Sequence, residues 1–278
     1  LIGFAAIDLM FFLAWRAFSA HGVLIDPIYP SATVVVTYLA GVVELFRHER
    51  SQKSQVKNAF GRFVSPAVVE RLANSPERLT LGGESRALTL MFCDMRDYTG
   101  LVEGLDAAET ISFMNDYLTP LTDVILTHGG TVDKYMGDAI MAFWNAPLDD
   151  PEHARNACRT ALAMRDALAA FNASRARHDE TRHRRHRDAR FGVGLNTGLC
   201  SVGNLGSIRR FDYSAIGDPV NVASRLEGLT KFYGVDILAS EETQSAAADL
   251  AWLEVDSVRV KGRETPTQLF ALIGDADM

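Results

Sequence analysis

Residues 132–147 read VDKYMGDAIMAFWNAP, an apolar, strand-like stretch broken by Met-Gly and carrying Lys134 and Asp138 four positions apart. Such a run is built for burial, and two opposite charges inside it need a reason. A solvated turn with an exposed ion pair is the simplest one, since exposed pairs are common and contribute little. The surrounding pattern decides how the stretch is used. LTLMFCDM reads as a strand, and DAAETISFMNDYLTPLTDVILTHGG as an amphipathic helix with Asp106 as N-cap, Glu109 three residues on and glycines at its end. The two halves of the 132–147 stretch follow, then a helix DDPEHARNACRTALAMRDALAAF, strands FGVGLNTG and CSVGN, and a helix DPVNVASRLEGLTKFYG. Strands and helices mixed in one continuous pattern imply a single α/β or α+β domain over 84–273, with no internal repeat. SRARHDETRHRRHRDAR (174–190) has almost nothing apolar and reads as a solvated loop between helix and strand rather than as a metal-binding tract.

A hydrophobic fraction of 47% is ample for a core, while a net charge of −7 provides no global field to attract nucleic acid, so no nucleic-acid partner is expected. Cys93, Cys158 and Cys200 are odd in number and scattered, fitting neither a disulfide framework nor a zinc site.

Two further apolar stretches open the chain, LIGFAAIDLMFFLAWRAF and SATVVVTYLAGVV. Each approaches the length of about 20 residues that a bilayer span needs only with its flanks included. The segment between them, SAHGVLIDPIYP, has no Lys or Arg, whereas RHERSQKSQVK after the second is rich in them. That asymmetry implies two transmembrane helices over 1–46, with everything after Phe46 on the cytoplasmic side of the inner (plasma) membrane. Residues 47–83 read as a helical stalk linking membrane to domain.

Asp94, at the end of LTLMFCD, and Asp138 place two carboxylates at strand ends, a pattern suited to Mg²⁺, which binds through one or two carboxylates plus substrate phosphates. Alone, either could equally cap a turn. The ordered motifs MFCDMRDYTGL, VDKYMGDAIMAFW, FGVGLNTG, VGNLGS and IGDPVNVASRLEGL resemble the catalytic domain of class III nucleotidyl cyclases. NAFGRFVSPAVVERL and the apolar segments before it more weakly resemble bacterial cyclases in which an extracytoplasmic sensor of the CHASE2 type precedes the membrane helices.

The resemblance implies a ferredoxin-like, polymerase-palm-like α+β sandwich, active as a head-to-tail homodimer with sites shared across the interface. Asp94 and Asp138 match the two metal-binding aspartates, with the Met95 carbonyl as an extra ligand and two Mg²⁺ or Mn²⁺ ions per site. Lys134 matches the lysine that reads adenine, Asn221 the asparagine that orients the ribose and Arg225 the arginine that stabilises the transition state. Lys261 matches a lysine on the terminal phosphates, and Arg209 a further phosphate ligand. Ser214 stands seven residues before Asn221, where vertebrate membrane-bound enzymes carry aspartate. A hydroxyl there resembles the subclass in which it accepts from the adenine amino group, although a hydroxyl also donates and so discriminates less sharply than a carboxylate. ATP is the expected substrate and adenylate cyclase the expected activity. Guanylate cyclase, or a silent cyclase-like dimerisation module, is the alternative.

Overall fold

The run LTLMFC lies in β1 (Gly82–Arg96), an inner strand covered on both faces. Leu88 and Leu90 point to one side, Met91, Cys93 and Met95 to the other, and all are buried, so the sequence there is continuously apolar rather than alternating. The computed structural model describes residues 2–24, 26–41, 44, 82–182, 186–207, 210–259 and 266–275. It divides into two units, 1–63 and 64–278.

In the second unit the described strands form one mixed sheet, in the order β2 (Thr131–Met136), β3 (Ala139–Trp144), β1, β4 (Arg190–Ser207), β6 (Ile237–Ser240), β8 (Thr267–Asp275), β7 (Leu250–Val258). β5 (Arg210–Ile216) pairs with the distal half of β4, and β4 with β6 is the parallel pair. In the first unit lie α1 (Ile2–His21) and α2 (28–41). The second carries α3 (Tyr98–Val102), α4 (Ala107–Thr127), α5 (His153–Thr181), α6 (Asp218–Tyr233) and α7 (Glu241–Ala246). One core layer joins Tyr117, Leu121 and Ile125 of α4 to Cys158, Ala161 and Met164 of α5 and to Met91 and Cys93 of β1. Another joins Leu88, Leu90, Phe143 and Val202 to Ala223 of α6.

The capping box at the start of α4 forms as its sequence implies. Asp106 Oδ1 accepts from the Glu109 amide at 2.7 Å, and the Asp106 amide donates to the Glu109 carboxylate at 3.3 Å. Between β2 and β3 the turn places Gly137 at φ 69°, a left-handed conformation that favours glycine. The same hairpin holds a feature its sequence does not advertise. Val132 pairs with Ala142 and Lys134 with Met141, leaving Asp133 as the extra residue of a bulge.

Two expectations change. FGVGLNTG and CSVGN are not two strands but parts of the single 18-residue β4, which continues through Thr197–Leu199 because β1 pairs with it along its length. The 174–190 segment is not wholly a loop, since α5 runs on to Thr181. The polar extension is held by an Arg175–Asp179 pair at 3.5 Å, by Arg175 stacked 5.1 Å over Phe113, and by His186 bonded to Asp179 at 2.9 Å. In the first unit, no helix among the described residues is long and apolar enough to cross a membrane. The stalk lies outside the described residues except for Gly82 and Gly83, which open β1.

Candidate active site

β1 and β3 are paired as far as Cys93 with Ile140, so Asp94, the next residue of β1, and Asp138, just past the Gly137 turn, emerge at the same sheet end. Burial raises the Asp94 carboxyl above the usual carboxylate range, and the Asp138 charge raises it further, against a hydrogen bond from the Met95 amide at 3.1 Å. Glu227 of α6 joins this field. Gly192 is the register partner of Asp94, and a Cβ on it would fall 2.7 Å from Glu227 Oε1, so the glutamate covers that point of the sheet. Burial and the charges of Asp94 and Asp138 push Glu227 up to about 7, while Arg96 pulls the other way.

Two adjacent carboxylates with no ion pair to either among the described residues suit a divalent cation, which would relieve the repulsion that raises Asp94. Among the described residues no three His, Cys, Asp or Glu side chains cluster as a metal cage. Met95 buries its side chain in the core and has only its backbone to offer.

A second constellation forms between β2 and β5. Lys134 does not pair with Asp138. Its ammonium lies 3.3 Å from Asp133 Oδ1, and Ser214 of β5 donates its hydroxyl proton to Asp133 Oδ2 at 2.6 Å. The Asp133 side chain is fully buried, and its Oδ1 has no well-aligned donor. Burial raises its carboxyl above the usual range, opposed by the Ser214 hydrogen bond, the Lys134 charge and the Ala215 amide. Thus the two residues assigned to base reading meet on a third that sequence reasoning passed over. Asp133 escaped notice because only the bulge turns its side chain inward.

α6 carries the remaining pair. Asn221 is exposed and Arg225, one turn further, is half-buried with an Nη1 that lacks a hydrogen-bond partner, an arginine with donor capacity to spare. Two residues of helix separate Arg225 from Glu227, a rotation of about 200°, so the Asn221–Arg225 edge faces away from Glu227, on which the Asp94 and Asp138 charges act. The helix is held against β4 at Gly194, where a Cβ would collide with the Ala223 carbonyl and the Glu227 amide, and by Asn196 donating to the Pro219 carbonyl at 2.9 Å. Arg209 and Lys261 lie outside the described residues.

The adenylate and guanylate cyclase catalytic domain family matches residues 83–274. The chain is similar to adenylate cyclase 1 of Rhizobium meliloti (strain 1021), 37% identical over 188 residues that make up 67% of this chain and 27% of that protein. It is 36% identical over 219 residues to the adenylate cyclase of Anabaena cylindrica, covering 77% of this chain and 42% of the relative. The chain therefore spans well under half the length of these curated relatives. The crystal structure of the adenylyl cyclase CyaB from P. aeruginosa superposes with a TM-score of 0.62 at 32% identity, covering 70% of this chain and 97% of that one. Over residues 83–274 the chain belongs to the family of adenylate and guanylate cyclase catalytic domains.

Proposed function

We propose that this chain is an adenylate cyclase that converts ATP to 3′,5′-cyclic AMP and pyrophosphate at sites shared between two copies of itself. The observation that carries the choice of ATP is the meeting of Lys134 and Ser214 at Asp133, which puts a donor and a hydroxyl side by side as an adenine edge requires. The names of the similar proteins support the same choice.

In the reaction the ribose 3′-oxygen attacks the α-phosphorus in line, the bond to pyrophosphate breaks, and the 3′-hydroxyl proton leaves to solvent or substrate. Mg²⁺ or Mn²⁺, expected as two ions per site, would supply Lewis acidity when bound. Asp94 and Asp138 hold that charge in place. Asn221 orients the ribose, and Arg225 stabilises negative charge that grows on the phosphorus oxygens. Lys261 and Arg209 are assigned to the polyphosphate by their sequence positions.

A shared site is supported by the opposed faces of α6 and by Tyr135, Met136, Leu199 and Ile216, large apolar side chains exposed on this chain alone. The amino-terminal helices are assigned to the plasma membrane, with the catalytic domain cytoplasmic. α1 exposes Phe11, Phe12, Leu13, Trp15 and Phe18, an apolar patch of the kind that marks a membrane or protein contact. The finer kinship with sensor-linked membrane cyclases belongs to the same reading.

Purified protein supplied with Mn²⁺ and either ATP or GTP, its products separated by chromatography, tests the activity. Cyclic AMP in clear excess is expected. Cyclic GMP in excess would make the chain a guanylate cyclase, and no cyclic product from a folded dimer would make it a silent module.

A further inference from the structure

We propose that Asp133 sets the nucleotide specificity of the site by taking up the only proton of the Ser214 hydroxyl, which turns Ser214 into an acceptor and leaves Lys134 as the donor beside it. The inference rests on the assignment of Lys134 and Ser214 to the base. A serine hydroxyl has one donor and two acceptor lone pairs, so alone it could accept from the 6-amino group of adenine or donate to O6 of guanine. Here the proton is committed. Ser214 Oγ to Asp133 Oδ2 is 2.6 Å, within the short range of hydrogen bonds to an ionised oxygen, and Ser214 is 5% exposed. Only lone pairs remain to meet a base.

Lys134 has donors alone, and its ammonium is held 3.3 Å from Asp133 Oδ1. The pair then presents a donor for N1 of adenine and an acceptor for its amino group. Guanine, with a proton on N1 and an acceptor at O6, is mismatched at both. A carboxylate placed behind the serine thus does the work that a carboxylate in the serine's own position would do directly. The site is built for this. The bulge at Asp133 turns its side chain inward from β2, and the Ala215 amide, next to Ser214 on β5, donates to the same carboxylate. Burying a carboxylate in a strand is costly, and every partner it has here belongs to the base-reading pair or adjoins it.

Asp133 acts through Ser214 and Lys134 and is a positioning residue. The test compares wild type, Asp133→Asn, Asp133→Ala and Asp133→Ala/Ser214→Asp in the full chain. For each, kcat and KM are measured with ATP and with GTP, and Ki is measured for 3′-deoxy-ATP and 3′-deoxy-GTP, which bind without cyclising. Asp133→Asn and Asp133→Ala should lower the ATP:GTP ratio of kcat/KM about ten-fold or more. The loss should fall on the ATP KM and the 3′-deoxy-ATP Ki more than on kcat. Ser214→Asp should restore the ratio in the Asp133→Ala background, because its carboxylate accepts without help.

Equal losses for both nucleotides, an unchanged ratio, or no restoration by Ser214→Asp would overturn the proposal. Should both Asp133 variants fail to fold, Ser214→Ala decides, since removing the hydroxyl must collapse the same ratio and an unchanged ratio refutes the role. A wild type that prefers GTP or is inactive would overturn the assigned function itself. An ATP-selective wild type whose ratio ignores Asp133 overturns this inference alone.

Discussion

Gly194 offers a way to move α6 without touching any residue that meets substrate. It lies in β4, paired with Phe92 of β1 and Leu238 of β6, so the backbone beneath it is fixed from both sides. A Cβ there would collide with the Ala223 carbonyl and the Glu227 amide and would stand 2.9 Å from Glu227 Cα, all backbone atoms of α6 that no rotamer change can clear. The tightest approach, 2.2 Å to the Ala223 carbonyl oxygen, falls short of ordinary contact at 3.4 Å by about 1.2 Å, so the helix has to withdraw by at least that much. Overpacking of this kind costs about 1–3 kcal/mol, or a fall in melting temperature of about 2–4 °C for each kcal/mol in a domain of this size. The activity cost is larger, because α6 carries Asn221 and Arg225 and a misplacement of about 1 Å costs on the order of 10²-fold. Gly194→Ala is therefore expected to lower kcat by tens-fold while the ATP KM, assigned under the proposed function to Lys134 on β2 and Ser214 on β5, changes little. Gly228→Ala on the same helix is the control, since its Cβ meets nothing within 4 Å and alanine favours a helix interior by about 1 kcal/mol. Steady-state kinetics and thermal melts of both variants read the difference. A Gly194→Ala protein with wild-type kcat and melting temperature would refute the claim that the seating of α6 controls the catalytic pair.

Asp94→Ala and Asp138→Ala should each abolish cyclase activity in a protein that still folds and dimerises, and substantial turnover at saturating Mn²⁺ in either would remove the metal assignment. Asp94→Ala and Arg225→Ala homodimers should be nearly inactive, yet co-expression should restore roughly a quarter of wild-type activity, because about half the dimers are mixed and each mixed dimer keeps one intact site. No recovery with mixed dimers verified by differential tags would place both residues in one protomer's site. His186 is raised above its ordinary value, first by its hydrogen bond to Asp179 and then by Asp188, so its stabilising contribution is complete below the unfolded value of about 6.5 and is lost as pH rises through the folded one. The melting-temperature gap between wild type and His186→Ala should accordingly shrink from pH 5.5 to pH 8.5, and a gap independent of pH would rule out the protonated pair.

How far the sequence could be read follows from how local each signal is. The Asp106–Glu109 capping box and Gly137 act within one turn of chain and were legible directly. Asp94 and Asp138 were legible as strand-end carboxylates, though their adjacency depends on the β1–β3 register. β4 looked like two strands because Thr197-Gly198-Leu199 carries a loop-like composition, and only its pairing with β1 carries the strand through. The end of α5 looked like a loop because Arg and His dominate it, while the structure anchors those residues through Asp179 and Phe113 from other parts of the chain. Asp133 and Glu227 were missed for one reason. A carboxylate in a strand or an amphipathic helix reads as surface until a bulge or a close helix–strand approach at Gly192 shows where it points.

The charges that made the β2–β3 hairpin puzzling also explain its design. Lys134 and Asp138 lie on opposite sides of the Gly137 turn, the first tied to Asp133 and the second set beside Asp94. α6 repeats the division, with Glu227 over Gly192 and within the field of Asp94 and Asp138, and Asn221–Arg225 on the other edge. A single-chain site would gather these groups on one side of each element. Elements that send metal ligands one way and substrate-reading groups the other have a use when two copies meet about a two-fold axis, since each copy then completes the other's site and neither is active alone. On the proposed function, control of dimerisation is control of catalysis.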